Sequence, residues 1–376
     1  MKKTSRIIVF VLIVSLTMLG GCQGNNRQTD NNLHATKQVE MIVFTDSVGR
    51  EVELPKDISR VLPSGSLAQI FLYAVAPDSL IGISGGFSED ASKYVENKYL
   101  NLPEIGGFYG KDNLNLEEVA ALNPEVIIDI GETKMSIAED MDTLTKQTGI
   151  PTIHIAAGID TMGSAFRILG ELLGEKEQGD KLGEYCDTLY QDMEKISSEA
   201  MQGAGKPKLL YLTSENGESV VAKGSYHAEI IDMLGDNLAI VDNPSGKGTG
   251  NEVDMEQILE WNPEIIIFAP DGYYDHVKDD SIWQQLDAVR NGKFFKVPNG
   301  PYNWLGFPPS SNRVLGMGWL AAVLYPDKME TKIKGLVEEY YQLFYHYELT
   351  SDEYADLVKD SISSIDNVEK STTSVE

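Results

Sequence analysis

Between residues 115 and 128 the chain runs from a polar cap, Asn115, through an acidic first turn, Glu117 and Glu118, with apolar positions at Leu116, Val119 and Leu122. Then come Asn123-Pro124-Glu125 and the apolar run Val126-Ile127-Ile128. The spacing predicts a helix. It ends at the residue before the proline, and the apolar run that follows reads as a strand buried on both faces. The same unit returns 139 residues later, from Asp254 through Glu256, Ile258 and Trp261 to Asn262-Pro263-Glu264 and Ile265-Ile266-Ile267. One such unit is unremarkable, but two imply a pair of similar α/β lobes.

Each lobe opens on a β-rich segment. Arg60-Val61-Leu62 leads into Pro63-Ser64-Gly65-Ser66, and Lys208 to Leu212 leads into Thr213-Ser214-Glu215. Between the lobes, Thr161 to Gln202 has helical apolar spacing at Phe166, Leu169, Leu172, Leu173, Leu182, Leu189 and Met193. No Gly/Ser-rich hinge interrupts it. The expected fold is two Rossmann-like α/β lobes joined by a single long backbone helix, with the ligand cleft between them and little swing.

The start of the chain reads differently. Lys2, Lys3 and Arg6 precede an apolar stretch from Ile7 to Met18, too short for a bilayer span of about 20 residues. It ends in Leu19-Gly20-Gly21-Cys22, which resembles the lipobox of bacterial lipoproteins. That resemblance implies lipidation of Cys22 and cleavage before it. The polar, Asn-rich stretch after Cys22 cannot bury enough apolar surface to offset its ordering entropy and is expected to be a tether.

Loss of the leader removes three positive charges and takes the net charge from −27 to −30. Such an acidic body argues against nucleic acid and anionic membrane faces as partners. The cysteines are Cys22 and Cys186 only, which excludes an iron–sulfur site and, with Cys22 lipidated, a disulfide framework in the mature chain. Cys186 reads as a small packed hydrophobe. No cofactor is expected.

The chain resembles the class III (cluster A) substrate-binding lipoproteins of iron-siderophore, haem and vitamin B12 importers. The resemblance rests on Thr45 to Pro55, similar to the family's opening hairpin, on Arg60-Val61 with Pro63-Ser64, on the two Asn-Pro-Glu units, and on Asn299 to Trp304 followed by Pro308-Pro309-Ser310 and Arg313. It implies a signal peptide 1–21, a tether 22–40, an N-terminal lobe 41–160, a connecting helix 161–205, a C-terminal lobe 206–348 and an acidic C-terminal tail 349–376. It also implies docking through one glutamate per lobe, Glu117 and Glu256, onto a permease dimer with its ATPase. The protein is expected to be an extracytoplasmic monomer that meets the membrane through its lipid anchor alone.

Ligands of open α/β sheets lie beyond the carboxyl ends of the strands. That rule selects Ser64, Ser66, Phe108, Tyr109, Glu132, Ser214, Tyr226, His227, Tyr302, Trp304 and Arg313 as candidate cargo contacts. The aromatics suit stacking on a planar cargo, Tyr302 or Tyr226 suits ferric iron as phenolate, and His227 is the candidate metal ligand. His154, on a strand, reads as structural. Arg313 suits a bidentate bond to an anion or, equally, a salt bridge. The loop around Lys247 departs from phosphate-loop spacing and reads as a surface loop at the rim. The leading function is capture of an iron complex (siderophore, haem or cobalamin-like) for an ABC importer. The alternatives are a molybdate- or tungstate-type oxyanion on the same fold, or an adhesin-like surface lipoprotein. No nucleophile elbow or zinc-protease helix is present, so no enzyme is expected.

Overall fold

The computed structural model describes residues 39–362, apart from 88, 110–112 and 330–331. The leader, Cys22 and nearly all of the tether lie outside the described residues. The chain opens on an antiparallel hairpin, Met41–Thr45 with Glu51–Pro55. In the first lobe, strands Val61–Pro63, Val126–Gly131 and Thr152–Ala156 form a parallel sheet in that order. In the second, Phe294–Lys296, Ile265–Phe268 and Lys208–Leu212 form the parallel part of a larger sheet that short antiparallel strands extend.

The repeated unit has the same geometry twice. Helix Leu116–Leu122 is capped by Asn115, and helix Met255–Trp261 by Asp254. Asn123 and Asn262 then take the left-handed conformation, φ 48° and 38°, which asparagine tolerates better than most residues. The glutamate of each Asn-Pro-Glu is structural. Glu125 Oε2 accepts from the amides of Ser59 and Arg60 at 2.7 and 3.0 Å, and Glu264 Oε2 accepts from the Lys208 amide at 3.2 Å. Each carboxylate thus satisfies backbone donors where the neighbouring strand begins.

The bridging helix is Lys176–Gln202, about 40 Å long at 1.5 Å per residue. It is shorter than the expected 161–205. Gly174, at φ +76°, breaks the helical stretch, and Met162–Leu172 forms a separate helix folded back against it. The two backbones meet at glycines: a Cβ on Gly170 would lie 2.8 Å from the Gly179 Cα. The tertiary gain of that close packing outweighs continuous helical spacing.

The C-terminal stretch also departs from expectation. Instead of beginning a tail at 349, the chain forms helix Ser351–Val358 behind a capping box at Thr350. Tyr354, Val358 and Ile362 are buried, and Trp319 Nε1 donates to Ser361 Oγ at 3.2 Å. These apolar residues recur at a spacing of four, which suffices to dock an otherwise acidic segment.

Candidate functional site

A cavity of about 400 Å³ opens between the lobes. Gly131, Glu132 and Thr133 reach it from the end of one first-lobe strand, and Ala156, Ala157 and Gly158 from the next. Gly224, Ser225, Tyr226 and Glu229 close it from the second lobe. The Tyr226 hydroxyl crosses the gap and donates to the Ala157 carbonyl at 3.4 Å.

Arg313 lies behind that wall on helix Asn312–Leu324, whose residues are all buried. Only 1% of Arg313 is exposed. Its Nη2 donates to the Tyr226 carbonyl at 3.1 Å and pairs with Glu229, while the guanidinium carbon stands 4.5 Å from the Tyr226 ring centroid. Nε and Nη1 are buried without a hydrogen-bond partner. Arg313 therefore forms a salt bridge and keeps two unused donors, but it does not itself line the cavity. The bridge runs between helices rather than within one.

The cationic neighbourhood acts on the adjacent groups. Burial, reinforced by Arg313, lowers the His227 pKa and favours neutral imidazole. Burial raises the Tyr226 phenol pKa, against the opposing pull of Arg313. The loop around Lys247 lies beside the same residues, since a Cβ on Gly248 would come within 2.5 Å of the Phe307 ring and 3.1 Å of the His227 ring.

Several candidates sit elsewhere. Trp304 is fully buried and donates from Nε1 to the Gly300 carbonyl at 3.2 Å. Its loop lies flush on the buried helix, where a Cβ on Gly316 would come within 1.9 Å of the Trp304 carbonyl oxygen, so the indole turns inward. Tyr302 is half-buried against the main core, and burial raises its phenol pKa. Neither residue lines the cavity, which corrects the expectation of an aromatic wall there. Ser64 is buried with its hydroxyl committed to Asp129, while Ser66 is exposed at the start of helix Ser66–Val75. Phe108 packs on the first-lobe core, and the Tyr109 hydroxyl donates to Asp140 at 2.8 Å. Ser214 Oγ is buried and unpartnered, but Ser214 does not line the cavity.

The structure adds Asp129 and Thr133, which the sequence pattern did not single out, and gives the strand residue His154 its partners. Asp129 lies on strand Val126–Gly131, buried among apolar neighbours. Its Oδ2 is 2.7 Å from His154 Nδ1, its Oδ1 accepts from Ser64, and His154 Nε2 is 3.1 Å from Thr133 Oγ1 in the cavity wall. The signal was present as a charge interrupting an otherwise apolar run. The order is Ser–Asp–His, with the carboxylate in the middle, so no imidazole faces the Ser64 hydroxyl and the Ser–His–Asp relay geometry is missing.

Glu117 and Glu256 are exposed in the first turns of the two repeated helices and form no ion pair among the described residues. Within the described residues no group of three or more His, Cys, Asp or Glu is arranged to hold a metal ion.

Comparison with known proteins places this geometry. A family model described as periplasmic binding protein matches residues 66–300, more than half the chain, and the chain belongs to that family. The match bears out the class III (cluster A) resemblance and the two-lobed α/β fold. The molybdate-binding protein MolA of Haemophilus influenzae is 24% identical over 350 residues, covering 83% of this chain and 93% of MolA. The iron(3+)-hydroxamate-binding protein YxeB of Bacillus subtilis is 22% identical over 307 residues, 78% of this chain and 89% of YxeB. An ABC transporter solute binding protein from Sulfurospirillum deleyianum superposes with a TM-score of 0.76 at 28% identity, covering 84% of this chain and 99% of that one. The role at this level is solute binding outside the cytoplasm for an ABC transporter.

Proposed function

We propose that this periplasmic binding protein captures a small oxyanion of the molybdate or tungstate class and delivers it to its permease without altering it. The observation that carries the reading is Arg313, a buried guanidinium beside the cavity wall with two nitrogens unpartnered. Buried N–H groups left unmade cost about 1–3 kcal/mol each, and an anion that entered past the Tyr226 side chain, behind which Arg313 packs, would relieve them. A cavity of about 400 Å³ suits a compact ligand, and MolA matches most of the chain. Of the two carboxylates that line the cavity, Glu132 carries negative charge against the anion, whereas Glu229 is already engaged by Arg313.

The second reading is an iron complex, the cargo first expected from the sequence. Phe307, 55% exposed beside His227 and Gly248, supports it as a surface for an organic chelate, as does the similarity to YxeB. The withdrawal of Trp304 and Tyr302 from the cavity weighs against it. A thermal-denaturation panel with molybdate, tungstate, a ferric hydroxamate, haem and cobalamin separates the two. A ligand at 100 times its Kd stabilises the native state by about 2.7 kcal/mol. A rise with the two oxyanions alone is the expected result, and a rise with the hydroxamate alone would replace the oxyanion reading. Stabilisation by none of the five would remove both readings and place the cargo outside these classes.

Lipid anchoring at Cys22 belongs to the same proposal. A Cys22→Ala variant is expected to appear in the medium or accumulate as unprocessed precursor. Unchanged processing and unchanged membrane retention would remove the anchor from the account.

A further inference from the structure

The second lobe shows what the fold requires at the end of its central strands. The register Pro63↔Ile128 in the first lobe corresponds to Tyr211↔Ile267 in the second. One residue further on, the first lobe carries Ser64, Asp129 and, opposite Asp129, His154. The second carries Leu212, Phe268 and Lys296 at those positions. In the second lobe a leucine and a phenylalanine, both in its apolar core, thus take the places of Ser64 and Asp129, with Lys296 in the place of His154. Burying a carboxylate and an imidazole there instead carries a desolvation cost that packing does not call for.

The network ends at the cleft. Thr133 Oγ1, in the cavity wall, is 3.1 Å from His154 Nε2. A threonine hydroxyl has one proton to donate. If Nε2 is bare, that proton is used on the imidazole and Thr133 offers only lone pairs to the cleft. If Nε2 carries a proton, it donates to Oγ1 and the Thr133 proton is free to point at a ligand. Asp129 Oδ2, 2.7 Å from Nδ1, holds that nitrogen's proton in either state, so the change is confined to Nε2.

We propose that His154 sets the hydrogen-bond sense of the Thr133 hydroxyl, so that an oxyanion is bound together with a proton taken up on Nε2. This rests on the oxyanion reading, because an oxyanion only accepts hydrogen bonds. The charges around His154 are compatible with the added proton. Asp129 faces its ring, and Asp46 Oδ2 lies 3.4 Å from its amide nitrogen. Arg50 pairs with Asp46 and Asp142, both at 2.9 Å, and Tyr109 reaches Asp140 from the adjoining loop. Two carboxylates therefore face His154 directly, and one of them is already paired with a cation.

Isothermal titration of molybdate and tungstate in two buffers of different ionisation enthalpy measures the proton taken up. The wild type is expected to show a buffer-dependent enthalpy equivalent to up to one proton per anion. Thr133→Val should abolish that dependence and weaken binding on the order of ten- to a hundredfold, as for a hydrogen bond to a charged group. Thr133→Ser should retain both properties. Thr133 is exposed, so these variants test the relay without disturbing the buried pair. A wild-type enthalpy independent of buffer, or equal proton uptake in Thr133→Val, overturns the proposal. If neither anion binds, the cargo reading falls and the proton coupling falls with it. The relay is then decided on the free protein by ¹⁵N resonances of His154: Nε2 must shift in Thr133→Val while Nδ1 does not, and an unmoved Nε2 overturns it.

Discussion

A variant carrying Glu117→Ala and Glu256→Ala is expected to bind cargo with unchanged affinity and to lose transport. The two glutamates occupy the same position in the two repeats, on helices capped by Asn115 and Asp254. An acidic first turn has a local explanation, since it complements the helix dipole by about 0.3–1 kcal/mol. That explanation does not require both side chains to stay exposed and free of ion pairs among the described residues. The class III resemblance implies that each meets one subunit of a two-fold permease. Two contacts on one body, with a 27-residue helix bridging its lobes, engage bivalently, and avidity then exceeds either single affinity by about 10²–10⁴. Each single variant is expected to lose most uptake and the double variant nearly all. Glu118→Ala is the control. Glu125 is unsuitable for that role because its carboxylate holds the Ser59 and Arg60 amides. Transport by the double variant at the wild-type rate, measured in cells with equal amounts of protein, would sink the docking assignment.

Arg313→Ala is expected to cost oxyanion affinity by two to three orders of magnitude, about 3–4 kcal/mol, within the range for truncating a buried charged partner. Arg313→Lys should recover only part of it. An ammonium keeps the charge but lacks the planar fork and carries three donors on a single nitrogen. Because Arg313 also pairs with Glu229, truncation leaves a half-buried carboxylate uncompensated. The melting temperature of each cargo-free variant must therefore be measured beside its affinity. The companion variant Glu229→Gln removes the competing carboxylate and should leave oxyanion binding intact or stronger. Wild-type affinity in a folded Arg313→Ala protein would show that the unpartnered nitrogens play no part in capture.

Much of the molecule was legible from the sequence because its signals are local or periodic. The doubled helix–Asn-Pro-Glu–strand unit, the opening hairpin and the strand starts at 61 and 208 all appear in the structure. The boundary errors have one origin. Helical spacing at Leu172 and Leu173 continues into Leu182 and says nothing of the fold-back at Gly174. Acidic composition after 349 likewise hid three apolar residues that dock helix Ser351–Val358.

The site was less legible. Glu132 and Tyr226 line the cavity, and Arg313 packs behind Tyr226. Trp304 and Ser64, from the same kinds of loop, do not line it. A tryptophan in a Pro/Gly-rich loop has the same neighbours in sequence whether its ring faces a cleft or the core. Its direction is decided by Gly316 on a helix a dozen residues away, which lets the loop lie flush. A serine after a strand reads as a free hydroxyl until Asp129, 65 residues on, is seen to accept from it. The sequence by itself determined the two α/β lobes, their matched helices and the exposed pair of glutamates, because each follows from spacing and caps within one element. The tertiary structure alone decided which hydroxyls and rings remain free for cargo, because that depends on partners brought together by the sheet register, and no local pattern encodes them.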